Sequence, residues 1–275
     1  MDSNKFIDLL LCCFAFVFFI VLPNGLSAQD VSPTTVDGIT RFRIDNKLQI
    51  EKNDELIIIS TSTIYCNNLV FDFIGDNGEI IIYNFDTQLF TLIDPLHRIQ
   101  TELSVKDLDN FLVRLKELLR EKDDKFVQFM LDPSFEVSRN EEAGGWMFQS
   151  KWIDYNISAV PFDEAELVES YFKFSDQSSK LNIYLNPGSM TPFARIAINQ
   201  TLQQQNIFPE KISINVYPKG KLRLGGRNIK IESEHKLVRR LSEKDHGRII
   251  RALHFTEQFP KTTFGEYYKM VNTPS

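Results

Sequence analysis

From Arg41 to Ile50 the chain alternates, with Phe42, Ile44, Leu48 and Ile50 on one side and Arg43, Asp45, Lys47 and Gln49 on the other. A period of two is that of a strand with one face on a core and one in water. Five further runs follow, ELIIISTSTIYC, NLVFDFIG, EIIIYNF, QLFTLID and HRIQTEL, separated by turn residues such as Gly75-Asp76-Asn77-Gly78 and the stretch Asn84 to Thr87. Together they predict an antiparallel meander. Two of its strands break the alternation: Ile80, Ile81, Ile82 and Tyr83, then Leu89, Phe90, Leu92 and Ile93, are apolar on both faces. Both faces of those strands therefore need cover.

One cover is written next in the chain. Ser104, three residues before Asp107, resembles a capping box, and Leu108, Phe111, Leu112, Leu115, Leu118 and Leu119 follow at helical spacing. That helix is expected to reach about Leu131 and to lay its leucine stripe on the meander. Short strands are expected at FEVSR, GWMFQS and YNISAV, the first two divided by the turn Asn140 to Gly145. A second helix should run from about Asp163 to Leu185 with Leu167, Val168, Tyr171, Phe174, Leu181 and Leu185 on one side, stopped by Asn186-Pro187-Gly188. A third opens at Pro192, which suits a first helical turn, and carries Phe193, Ile196, Ala197 and Leu202. Strands return at KISINVY and NIKIESEHKLV, and a last helix begins at Ser242 with Asp245 three residues on. The expected class is α+β, an antiparallel sheet able to curve into a half-barrel and covered by several amphipathic helices. With no repeat and no internal linker, the chain divides into a leader at 1–28, a polar tether at 29–38, one domain at 39–270 and a tail at 271–275.

The leader sets the expected location. Leu9 to Leu22 is an unbroken apolar run behind Lys5, and Leu26-Ser27-Ala28 offers a small-residue cleavage site before Gln29. An export signal cut between Ala28 and Gln29 is expected, placing the protein in the periplasm or cell envelope. The alternative is an uncleaved N-terminal anchor, which would be the chain's one membrane contact. A spanning helix needs about 20 apolar residues, however, and Pro23, Asn24 and Gly25 interrupt any extension. Cys12 and Cys13 lie inside the apolar run with no small residue before them, which disfavours lipidation. Cleavage leaves Cys66 alone, so no internal disulfide is expected and stability must come from the core. The net charge of −6 argues against nucleic acid as a partner.

Candidate chemistry is sparse. His97, His235, His246 and His254 fall in no zinc motif. His246 and His254 flank Ile249, Ile250 and Leu253, while His235 shares the inward side of its strand with Ile229, Ile231 and Leu237, opposite Glu232 and Glu234. Each reads first as a packed or hydrogen-bonded histidine. Ser189 lies in no G-x-S-x-G elbow and is expected to cap the helix at Pro192. Cys66 has no histidine nearby in sequence to activate it and reads as a buried structural thiol. Gly220, Gly225 and Gly226 sit between two strands, unlike a phosphate-binding loop. Around them Lys219, Lys221, Arg223 and Arg227 form a basic hairpin, either simply solvated or in contact with anionic lipid or polysaccharide. Phenylalanine is abundant, at 23 residues; Phe71, Phe73, Phe85, Phe90, Phe111, Phe126, Phe129, Phe172 and Phe174 fall in the sheet or facing helices, as core or as the lining of a ligand cavity. No catalytic, cofactor or metal residue emerges. The expectation is a non-enzymatic protein binding an apolar or amphipathic, lipid-like ligand between sheet and helices. A hydrolase assembled only in the fold, and a structural or partner-binding module, remain as alternatives, and the oligomeric state stays open.

The run FDFIGDNGEIIIYNFDTQLFTLIDPLHRIQTEL, with SSKLNIYLNPGSMTPFARIAINQTL and SEHKLVRRLS, resembles a family of exported planctomycete bacterial proteins over most of residues 55 to 268. That likeness implies export and no particular chemistry. The hairpins between Thr61 and Leu103 are similar in layout to periplasmic lipoprotein carriers of the LolA type, although the chain has no amphipathic helix before its first strand. This second likeness implies a half-open barrel with helical lids around acyl chains, and hence a lipid or lipoprotein partner.

Overall fold

The computed structural model describes residues 41–52, 55–75, 78–140, 145–162, 164–220 and 229–272. The leader, the Ala28/Gln29 cleavage site and the polar tether lie outside them, as does most of the basic hairpin, including Lys221, Arg223 and Arg227.

Eleven strands form one open sheet. They are β1 (Arg41–Lys52), β2 (Glu55–Cys66), β3 (Leu69–Ile74), β4 (Ile80–Asn84), β5 (Leu89–Asp94), β6 (Ile99–Ser104), β7 (Glu136–Asn140), β8 (Gly145–Gln149), β9 (Ile153–Pro161), β10 (Ile207–Val216) and β11 (Ile229–Val238). Every pairing is antiparallel, in the order β6-β5-β4-β3-β2-β1-β11-β10-β9-β8-β7. The meander β1 to β6 is as the alternation predicts, and the α+β class holds. The turn between β3 and β4 needs glycine at position 78, where a Cβ would fall 1.8 Å from the Ile74 carbonyl oxygen. At the β6 edge, Gln100 donates its N–H to the Pro260 carbonyl (3.1 Å) and accepts from the Thr262 N–H (2.8 Å). That occupies polar groups which an open edge would otherwise offer to another chain.

The sheet has two apolar faces and each is covered. The inner face carries Phe42, Ile44, Tyr65, Val70, Ile81, Tyr83, Phe90 and Leu92. Against it pack α1 (Val105–Arg120), α2 (Lys125–Leu131), α3 (Ala165–Leu185), α4 (Phe193–Gln204) and α6 (Phe264–Asn272). The outer face of the meander carries Ile64, Phe71, Phe73, Ile80, Ile82 and Ile93, and α5 (Glu243–Gln258) covers it with Ile249, Ala252 and the following Phe259. The two-sided apolar strands thus receive their second cover from the far end of the chain. Gln100 fixes it there, its Nε2 donating to the Thr256 and Phe259 carbonyls (2.8 and 2.6 Å).

Several helical expectations change. The helix expected to reach Leu131 stops at Arg120, and Asp124 starts α2 by accepting from the Phe126 and Val127 N–H groups (2.8 and 3.2 Å). Lys122-Asp123-Asp124 has no apolar residue to hold a continuous helix, and an aspartate favours the cap over the interior. Val105 and Leu108 reach the sheet, Leu119 packs on Val127 and Leu131 instead, and Leu118 is 59% exposed. In α4 the buried residues are Ala194, Ile198, Asn199 and Leu202, so Phe193, Ile196 and Ala197 are not its inward face. Ser189 does not cap α4, whose cap is Pro192 without a side-chain bond; the buried Ser189 hydroxyl accepts from Asn182 (3.4 Å). The helix α6 is an element that the apolar spacing does not predict.

Candidate functional site

Strand register builds the inner wall row by row. One row runs Ile57, Ile50, Ile231, Ile214 and Tyr155 across β2, β1, β11, β10 and β9, and the next runs Ile59, Leu48, Ser233, Ile212 and Ile157. Ile50, Tyr155, Ile157 and Ile212 are buried, whereas Ile57, Ile59, Leu48, Ile231 and Ile214 keep part of their surface in solvent. The third row is polar, with Thr61, Asn46 and His235 side by side. Beyond it the wall enters the filled core, where Phe42 stacks on Tyr65 with ring centroids 4.1 Å apart and Tyr83 meets Phe90 at 4.5 Å. The inner face is therefore packed beneath the helices and partly open, apolar and bordered by a polar belt at the β1–β2–β11 end.

That belt is a connected network. Ser233 Oγ donates to Asn46 Oδ1 (2.7 Å) and lies 2.8 Å from His235 Nε2. His235 Nδ1 sits 3.0 Å from the Pro209 carbonyl and 3.5 Å from the Tyr171 hydroxyl, which accepts from Arg195 (3.3 Å). Burial, reinforced by the Arg195 charge, pushes the His235 pKa down to about 4 against the Pro209 hydrogen bond. The ring is neutral at pH 7. Burial raises the Tyr171 pKa, with Arg195 opposing. A serine beside a histidine suggests acyl transfer, but a base with a pKa near 4 takes a proton poorly at neutral pH, and among the described residues no carboxylate bonds this ring. The arrangement suits the binding of a polar group better than nucleophilic attack.

A second feature lies on the outer face. Alternate residues of β1 and β2, namely Arg43, Asp45, Lys47, Ser60 and Ser62, form with the start of α5 a polar cleft of about 1010 Å³. Arg43 spans it, donating to Asp45 (2.9 Å) and to Asp245 (2.7 Å) in the capping box of α5.

The other singled-out residues are dispersed. His97 is hydrogen-bonded to Asp94 (2.5 Å), but in the β5–β6 turn, where Asp94 also accepts from the Leu96 and His97 N–H groups. His246 and His254 are exposed on α5, whose buried side holds Ile249 and Ala252, while Ile250 and Leu253 face solvent. Cys66 is a free thiol, half-buried beside the outer cluster. Phe71, Phe73, Phe90, Phe126, Phe172 and Phe174 are buried, and Phe85 and Phe129 pack at the core's edge. Sequence reasoning passed over Asn46, Ser233 and Arg195, and placed Tyr171 only as an inward residue of its helix. A signal existed for the first two: Asn46 interrupts the inward series Phe42, Ile44, Leu48, Ile50, and Ser233 interrupts Ile229, Ile231, Leu237. Among the described residues no group of histidine, cysteine and carboxylate side chains is placed to hold a metal, and no helix is long and apolar enough to cross a membrane.

No protein-family model and no curated protein matches the chain, so the likeness to exported planctomycete proteins gains no support. Among solved structures the chain is similar to a LolA superfamily protein from Nitrosomonas europaea, with 10% identity and a TM-score of 0.24 over 74% of this chain and 88% of that one. At that score the likeness carries no argument, and the fold rests on the strand pairing above.

Proposed function

We propose that this is a binding protein, not a catalyst, that holds an amphipathic, lipid-type ligand along the open part of the inner wall. The tail would lie on Ile57, Ile59, Leu48 and Ile231, with its polar end at Asn46, Ser233 and His235. One observation carries the reading: Ile57, Ile59, Leu48 and Ile231, partly exposed on two neighbouring rows, adjoin the hydrogen-bonded polar group Ser233, Asn46 and His235, an order that matches an amphiphile end to end. The ligand site is thereby moved from beneath the helices, where aromatic rings fill the space, to the edge of their cover. A hydrolase has less support, because the histidine bonded to a carboxylate, His97, sits in a surface turn.

Titration of delipidated full chain with palmitate tests this. Saturable binding and a raised melting temperature are expected, both lost in Ile231→Glu and kept in Leu56→Glu, since Leu56 lies on the other face and is 61% exposed. A chain that neither carries lipid from the cell nor is stabilised by palmitate sinks the reading. Export to the periplasm or envelope, resting on the run Leu9 to Leu22, belongs to the same proposal. N-terminal sequencing of secreted protein should begin at Gln29; material from the cell that still starts at Met1 favours the anchor.

A further inference from the structure

On the face of the sheet that carries Arg43, Asp45 and Lys47, the cleft between β1, β2, β11 and the start of α5 concentrates positive charge in a chain whose net charge is −6, and Asn46, Thr61 and His235 of the polar row also border it. Seven basic side chains line it against four acidic ones. The acids are largely engaged: Asp45 and Asp245 are held by Arg43, and Glu234 lies 3.8 Å from Lys211, leaving Glu210 exposed at the rim. Lys47, Lys236, Lys244, Arg248 and Arg251, by contrast, make no ion pair with an acid among the described residues. Arg248 is positioned rather than loose. Its guanidinium lies 3.9 Å over the Phe73 ring and donates to Ser62 Oγ (3.0 Å), which fixes the fork at the cleft wall. Arg43 stands nearby with its buried Nε lacking a hydrogen-bond partner. Burial, with the charge of Arg43, holds Arg248 below its ordinary pKa despite Asp245, Asp45 and Asp72. Against burial, Arg43 is held above its ordinary pKa by Asp45 and Asp245, so the charge left without an acidic partner at the cleft wall is that of Arg248, which an added anion would stabilise.

We infer that this cleft binds a phosphate-bearing ligand, with Arg248 as its anchor and Lys244 and Arg251 of α5 closing on the same group. Guanidinium forks match the tetrahedral oxygens of phosphate, and ammonium groups add unspecific attraction. The phosphate can be free or the headgroup of an anionic lipid, and the two sources separate experimentally.

The full chain is titrated at low salt with inorganic pyrophosphate by calorimetry, and by co-sedimentation with phosphatidylglycerol vesicles, phosphatidylcholine vesicles serving as the neutral control. Saturable pyrophosphate binding identifies a soluble ligand, and binding to phosphatidylglycerol vesicles alone identifies a headgroup. In either case Lys244→Gln with Arg251→Gln should weaken binding at least tenfold, as should Arg248→Gln. The first pair carries exposed side chains, so it should keep the wild-type urea midpoint even if Arg248→Gln does not fold. Lys106→Gln with Arg114→Gln, exposed on α1, removes the same charge elsewhere and should change affinity less than twofold. No binding to either probe, or equal weakening by both pairs, overturns the proposal. Palmitate binding is read separately, so failure here leaves the inner-wall reading standing and the reverse also holds.

Discussion

His235 shows how an inward polar residue couples the fold to pH. Its pKa in the folded chain is about 4, against 6.5 for an ordinary histidine, so between those values the unfolded chain binds the extra proton and the folded chain does not. The contribution is complete above pH 6.5 and is lost as pH falls through that window, reaching about 3 kcal/mol by pH 4. Urea unfolding between pH 7.5 and 4 should therefore show a flatter pH profile for His235→Gln than for wild type. Parallel profiles would mean that the ring is not held neutral. Alternation alone places this residue inward, beside Ile231 and Leu237. Its partners could not be read that way, because Tyr171 and Arg195 arrive from α3 and α4 through packing that no local pattern encodes.

Strands of the meander were legible nearly to the residue, whereas the strand expected at KISINVY begins four residues earlier, at Ile207. The run ELIIISTSTIYC coincides with β2 at Glu55–Cys66, because β-branched composition and flanking turns both mark its limits. Helical faces were less legible, since a stripe of six apolar residues on α1 is wider than the surface available to bury it. Leu112 is 6% exposed and Leu118 59%. Leu112→Ala should cost about 2 to 5 kcal/mol in urea unfolding through lost burial and the cavity left behind. Leu118→Ala should stay within about 0.5 kcal/mol, and equal costs would contradict the observed face. The break between α1 and α2 makes a further prediction. Removing the cap with Asp124→Ala should destabilise the chain by about 1 kcal/mol, whereas a continuous helix would gain from alanine at that position. A signal was available for α6 as well: Thr263 and Glu266 form a reciprocal cap, the Thr263 hydroxyl donating to Glu266 (2.8 Å) and accepting from its N–H (3.3 Å). The nine residues that follow are too few for a convincing periodicity, which is why the cap alone did not reveal the helix.

At the scale of the whole molecule the decisive contact is β1 with β11, which joins the N-terminal meander to the strands from the other half of the chain. Sequence could not supply it: Arg43 pairs with Val238, and nothing in either strand names the other. Both candidate sites depend on that junction. The inner rows cross it through Ile50 and Ile231, and the outer cleft gathers Lys47 from one side and Lys236 from the other. The inner core also crosses it, since Phe42, Phe90, Phe148 and Phe208 belong to one cluster. A sheet and core shared in this way should unfold as one unit, with no populated state in which half the strands persist. The two tryptophans offer the test because both lie near the β7 end, Trp146 in β8 and Trp152 just before β9. Tryptophan fluorescence should therefore report that end, while far-UV circular dichroism reports the whole chain. In a urea titration the two transitions should coincide. A fluorescence midpoint that comes first would show that β7 to β9 melt as a separate unit, and that the β1–β11 junction does not bind the halves into one cooperative structure.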